Sequence, residues 1–183
     1  MRLFIGIDLD GKVVENIVSI QRKLASNGFD LKLVEPENLH LTLKFLGDVQ
    51  ESQLEQVERL VSESVKDVRE FELSFHGIGY FGGRRVSVIW AGVKDGSRDF
   101  VNLAMALEER LSSIRKEEHD PSPHLTIARV KSVRNVDGLL RELNSLRDVK
   151  MGEVPVKEIR LKQSVLTPQG PIYSDVKVFS LKP

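Results

Sequence analysis

Hydrophobic positions along the 183-residue chain switch between a period of two and a period near 3.6, and the switches mark out short strands and amphipathic helices. Arg2–Leu9 reads as a strand and Asp10-Gly11 as a turn. From Val13 to Ala25, the residues Val14, Ile17, Ile20, Gln21 and Leu24 fall at helical spacing, and Asn27-Gly28 closes the helix. Leu31–Val34 is a short apolar piece, and Glu35-Pro36-Glu37-Asn38 turns the chain into a strand over Leu39–Leu46. A second helix, Ser52–Val65, carries Leu54, Val57, Val61 and Val65 on one face. Phe71–Ile78 then alternates Phe71, Leu73 and Phe75 with Glu72, Ser74 and His76, which predicts a half-buried strand with His76 on its polar, surface side.

After a turn at Gly82-Gly83 the same order returns. Arg85–Val93 is a strand, Lys94–Ser97 a turn with a helix cap, and Phe100–Ile114 a helix with Phe100, Leu103, Ala104, Leu107 and Leu111 on one face. The charged loop Lys116–Ser122, with His119 in solvent, leads through Pro123 into a strand. Val136–Leu146 is a further helix, Val154–Leu166 a further strand region, and Pro171–Leu181 a closing strand. His40 and His124 are 84 positions apart, as are Phe71 and Pro155, and Gly11 and Ser97 are separated by 86. The chain therefore reads as one domain of two repeats, 1–83 and 84–183, each strand–helix–strand–helix–strand. The expected fold is α+β and bilobal, with a pseudo-two-fold axis placing equivalent strands across one central cleft.

The equivalent strands carry the candidate chemistry. Leu39-His40-Leu41-Thr42-Leu43-Lys44-Phe45-Leu46 is echoed by Pro123-His124-Leu125-Thr126-Ile127-Ala128-Arg129-Val130. Because successive strand residues point to opposite faces, His40 and Thr42 share one face, and so do His124 and Thr126. Alternation puts Lys44 on the face of His40, as a neighbour for a phosphate, and puts Arg129 opposite His124, where it reaches a shared ligand only if the strand bends. Phe45, Tyr80, Phe81, Trp90 and Tyr173 are candidates for stacking on a base.

Composition narrows the chemistry. Lys and Arg number 27 and so do Asp and Glu, so no global field draws in a long polyanion; a nucleic-acid end gripped locally fits better. The absence of cysteine removes disulfides, thiolate metal sites and cysteine nucleophiles, and suits a reducing cytoplasm. Asp8 interrupts the apolar N-terminus too soon for a signal-peptide core or a membrane span.

The paired His-x-Thr tetrapeptides, with Leu3-Phe4-Ile5-Gly6-Ile7, Pro36–Gly47, Pro123–Arg129 and Ser164–Tyr173, resemble the 2H phosphoesterase superfamily, and within it the RNA 2′,3′-cyclic phosphodiesterases, also known as 2′-5′ RNA ligases. The resemblance spans essentially the whole chain. It implies a 2H phosphoesterase fold and metal-free opening of a 2′,3′-cyclic phosphate to a 2′-phosphate, without cofactor. It also implies the reverse, ATP-independent joining of RNA ends in a 2′-5′ linkage. By the same resemblance His40 would be the proton donor and His124 the acceptor; the chemistry of the side chains themselves adds Thr42, Thr126 and Arg129 as donors to the phosphate and Lys44 and Phe45 as neighbours of the substrate. RNA or nucleotide cyclic-phosphate ends, tRNA halves among them, would be the partners of a cytoplasmic monomer that binds no membrane.

Two rival readings stay open at this point. A histidine-held zinc ion lacks a recurrent third ligand, and a module that binds nucleotides or RNA ends without catalysis could use the same residues. A serine or cysteine hydrolase is excluded, for there is no cysteine and no Gly-x-Ser-x-Gly elbow.

Overall fold

Two antiparallel sheets follow from the alternating segments. The computed structural model describes residues 1–9, 11–132 and 134–183; Asp10, half of the expected first turn, lies outside the described residues. The first sheet has the order β3 (His40–Asp48), β1 (Arg2–Asp8), β8 (Glu158–Thr167), β9 (Gly170–Ser180). The second runs β2 (Asp30–Leu33), β6 (Leu125–Ser132), β5 (Val88–Val93), β4 (Phe71–Phe81), β7 (Lys150–Val156). Each sheet buries one face under helices. Helices α2 (Leu54–Val65) and α3 (Ser97–Leu111) pack on each other and on the first sheet, whereas α1 (Gly11–Ser26) and α4 (Val136–Ser145) cover the second. The apolar stripes read from the sequence are the buried ones, including Ile17 and Leu24 of α1, Val57 and Val61 of α2, and Phe100, Leu103 and Leu107 of α3.

The duplication is visible strand by strand, but the repeats are woven together. By pairing, β1 corresponds to β5, β3 to β6 and β4 to β8. Strand β4 of the first repeat crosses to the second sheet and pairs with β5, and β8 of the second repeat crosses back and pairs with β1. Helices α1 and α3 cross in the same way. The stretch Val154–Leu166, expected as one strand, is divided at Lys157 between β7 in one sheet and β8 in the other. The counterpart of β4 is thus β8, not the segment at Pro155. Pro155 sits in β7, an edge strand, where its missing N–H costs no ladder bond. Among the described residues no helix is long and apolar enough to cross a membrane.

Candidate active site

Strands β3 and β6 bring the two motifs together, and both carry the same irregularity. Gly6 of β1 pairs with Thr42 and Ile5 with Lys44, so Leu43 is an extra residue in β3. In the second sheet Trp90 pairs with Thr126 and Ile89 with Ala128, so Ile127 is extra in β6. A bulge of one residue reverses the alternation beyond it. Two consecutive residues are therefore buried in each strand, Leu43-Lys44 and Ile127-Ala128, and the next side chain, Phe45 or Arg129, turns to the other face. Gln21 of α1 secures the second bulge: its amide, 3% exposed, donates to the Ile127 carbonyl at 2.8 Å and to the Val34 carbonyl at 2.9 Å.

Between the sheets lies a cavity of about 390 Å³ lined by His40, Thr42, His124, Thr126, Arg129 and Tyr173, with Lys32–Glu35 and Asn38 on one side and Gln169–Pro171 of the β8–β9 turn on the other. The structure thus gathers both motif pairs and adds Arg129, correcting the expectation that Arg129 faces away from His124. Lys44 is corrected in the opposite sense. The bulge at Leu43 carries its side chain, 1% exposed, into the packing of β3 on α3, with the ammonium 2.5 Å from Glu108 Oε2 and 2.7 Å from the Arg115 carbonyl. Phe45 also leaves the histidine cavity. It lines a neighbouring one, with the guanidinium carbons of Arg2 and Arg115 5.2 and 4.9 Å from its ring centre.

The imidazoles are held differently. His40 Nδ1 donates to the Asn38 carbonyl at 2.7 Å, since a carbonyl only accepts, and Nε2 lies 3.0 Å from Thr42 Oγ1. Its ring stands 4.9 Å from Phe4 and 5.1 Å from Tyr173. His124 meets a hydroxyl instead: Ser122 Oγ is 3.1 Å from Nδ1 and 3.5 Å from Nε2. Trp90 supports the His124 ring at 4.2 Å, and Phe81 meets it edge-on. The indole itself lies over Gly79, its cross-strand partner, where a Cβ would come within 2.3 Å of the ring. Among the described residues Thr126 Oγ1 has no hydrogen-bond partner within the protein, which leaves it free to face the cavity.

Burial lowers both histidines below the usual value. For His40 the Asn38 carbonyl and Asp8 oppose that shift, while Lys162 adds to it. Lys162 is 2.9 Å from Asp8 and 2.7 Å from Asp175, in a charge ladder across β1, β8 and β9 that Arg160 extends. Burial pushes the Tyr173 phenol up, against the pull of Arg129, Arg2 and Lys162. Among the described residues no three His, Cys, Asp or Glu side chains converge as metal ligands would.

A model of the 2′-5′ RNA ligase superfamily matches residues 12–164. The chain belongs to the 2′-5′ RNA ligase superfamily. The RNA 2′,3′-cyclic phosphodiesterase of Methanothermobacter thermautotrophicus is 40% identical over 183 residues, 99% of each chain, and that of Archaeoglobus fulgidus is 40% identical over 98% of this chain and 99% of its own. The crystal structure of TT0787 of Thermus thermophilus is similar with a TM-score of 0.82 at 28% identity, over 99% of this chain and 98% of that one.

Within this superfamily member, the sequence pattern located the four motif side chains and missed their supports. Asn38 acts through its main chain and Ser122 sits in what reads as a loop, so alternation marks neither. Of the five aromatic candidates, Tyr173 lines the histidine cavity, Trp90 and Phe81 pack on His124, Phe45 lies under two arginines, and Tyr80 lies on the surface. His76, expected on the surface, is half-buried beside Arg147 in a cavity behind His124. His119 is exposed, as its loop suggested.

Proposed function

We propose that this chain is an RNA 2′,3′-cyclic phosphodiesterase that opens the cyclic phosphate to a 2′-phosphate by histidine acid–base catalysis. The observation that carries the reading is the single cavity lined by both His-x-Thr pairs and Arg129. Water attacks phosphorus, the bond from phosphorus to the 3′ oxygen breaks, and the two oxygens lie roughly in line on opposite sides. One imidazole removes the proton from water and the other delivers a proton to the departing 3′ oxygen.

The supports of the two rings favour one assignment. Burial lowers the proton affinity of His40, but the Asn38 carbonyl and Asp8 oppose that loss, and with Nδ1–H fixed on Asn38 the transferred proton sits on Nε2 beside Thr42, so His40 is assigned as the acid. Among the described residues His124 has no carboxylate or carbonyl at its ring, only burial and a hydroxyl that adapts to either tautomer, so it is neutral and acts as base. Thr126 and Arg129 donate to the non-bridging oxygens, and Thr42 orients His40 and joins them. In the reverse direction a 5′-hydroxyl replaces water and the histidines exchange roles, which gives the 2′-5′ ligation. One chain supplies every proposed group, so a monomer suffices for the reaction; ends such as those of tRNA halves are the proposed substrates, and the absence of cysteine suits action in a reducing cytoplasm.

The test is product analysis on an RNA ending in a 2′,3′-cyclic phosphate, with and without chelator. A 2′-phosphate product, unchanged by chelator and lost by about 10²-fold or more in His40→Ala and in His124→Ala, is expected. An intact ring would make the protein a binder, and a 3′-phosphate product would overturn the leaving-group assignment.

A further inference from the structure

The repeated bulge makes Phe45 and Arg129 structural equivalents, so the position that carries a cation beside the second motif carries a benzene ring beside the first. Cations come to that ring from elsewhere: Arg2 from the start of β1 and Arg115 from the segment after α3. Both side chains are exposed, and among the described residues neither has a carboxylate within ion-pair distance. Of the acids around Phe45, Glu108 is held by Lys44 and the Glu117 N–H and Glu117 accepts from the Phe45 N–H, while Glu118 and Asp120 line the same cavity beside Lys116. Two guanidiniums seated on one ring, neither with a carboxylate at ion-pair distance among the described residues, leave donors open to an anion beside them.

The place of this pair relative to the cavity is fixed by β1. Arg2 and Phe4 lie on one face, about 7 Å apart along the strand, and the Phe4 ring touches both His40 and Tyr173. Thr42 is shared by the histidine cavity and the one that Phe45 lines. The Tyr173 hydroxyl feels the charges of both Arg129 and Arg2.

We propose that Arg2 and Arg115, seated on Phe45, form a second anion site that holds the RNA backbone phosphate immediately 5′ of the terminal cyclic nucleotide. The inference rests on the phosphodiesterase reading and deepens it: the site distinguishes an RNA end from a free cyclic mononucleotide, which has no such phosphate. The planar guanidiniums suit a phosphodiester, and the ring fixes their orientation before the RNA arrives.

The experiment compares kcat/KM on 2′,3′-cyclic AMP and on an adenylate trinucleotide ending in the same cyclic phosphate. Wild type, Arg2→Gln, Arg115→Gln and Phe45→Leu are used, with thermal unfolding as the check on folding. Each arginine variant is expected to lose about tenfold on the trinucleotide, mainly in KM, with the mononucleotide unchanged. The slope of log kcat/KM against log salt on the trinucleotide falls by about 0.7 per contact removed. Phe45→Leu shows the same selective loss, smaller in size. Equal losses on both substrates would place the arginines on the scissile phosphate, and no loss on either would leave them outside the RNA path; each overturns the second site. A wild-type protein that leaves both rings closed refutes the phosphodiesterase reading itself, an outcome distinct from both.

Discussion

Lys44→Met separates the position of Lys44 in the fold from the phosphate contact that simple alternation predicts. Methionine keeps most of the volume but removes the ammonium from Glu108 and from the Arg115 carbonyl. The carbonyl then loses a charge-assisted bond in a part-buried site, which costs about 1–3 kcal/mol. Glu108 keeps its bond from the Glu117 N–H, and its side chain is 30% exposed. Its loss therefore falls well short of the 3–5 kcal/mol of a fully buried orphan charge, about 1 kcal/mol. The sum is about 2–4 kcal/mol, read as a lower midpoint in urea unfolding at pH 7 with unchanged slope. Because Lys44 also ties the chain that leads to His124, kcat on a cyclic-phosphate RNA should fall while KM changes little. Unchanged stability with a raised KM would refute this reasoning and return Lys44 to the substrate.

Four further outcomes are expected. With both histidines lowered by burial, kcat/KM should peak below pH 6.5, falling on the alkaline side as His40 loses its proton and on the acid side as His124 gains one; a plateau extending past pH 8 would contradict this. The same shifts mean that the unfolded chain binds more protons between the lowered values and 6.5, so stability should rise with pH through that window, measured by urea titration. Burial raises Glu108 and Asp175, but their lysine and arginine partners outweigh it and hold both low; the stability they add is complete above about pH 4.3 and is lost as pH falls through their depressed values. Gly79→Ala forces the indole off its strand, at about 1–3 kcal/mol of overpacking, and should lower kcat by displacing His124; wild-type kcat would show that the indole is not its support.

Much of the site was legible because it is periodic. A histidine and a threonine two positions apart on a strand share a face whatever the rest of the fold does, and the two copies identified the cleft. What alternation could not supply was the bulge. An extra residue at Leu43 or Ile127 leaves no mark in composition, since both are ordinary strand formers, yet it decides that Lys44 is buried and Arg129 is not. At the second bulge the support is long-range: Gln21, more than a hundred residues away, satisfies the Ile127 carbonyl. The exchange of β4 and β8 between sheets was hidden for a similar reason, because a strand's own sequence records that one face is buried and not which neighbour it pairs with.

The crossing of β4, β8, α1 and α3 has a mechanical consequence. Neither sheet can open without pulling on chain anchored in the other, so the distance between the imidazoles is set by braiding rather than by a hinge. An isolated piece covering residues 1–83 would present β4 with no partner and should stay unstructured by circular dichroism, while the intact chain melts in one step. The cavity that gathers His40 and His124 is therefore built by chain from both repeats, and neither repeat can form it alone.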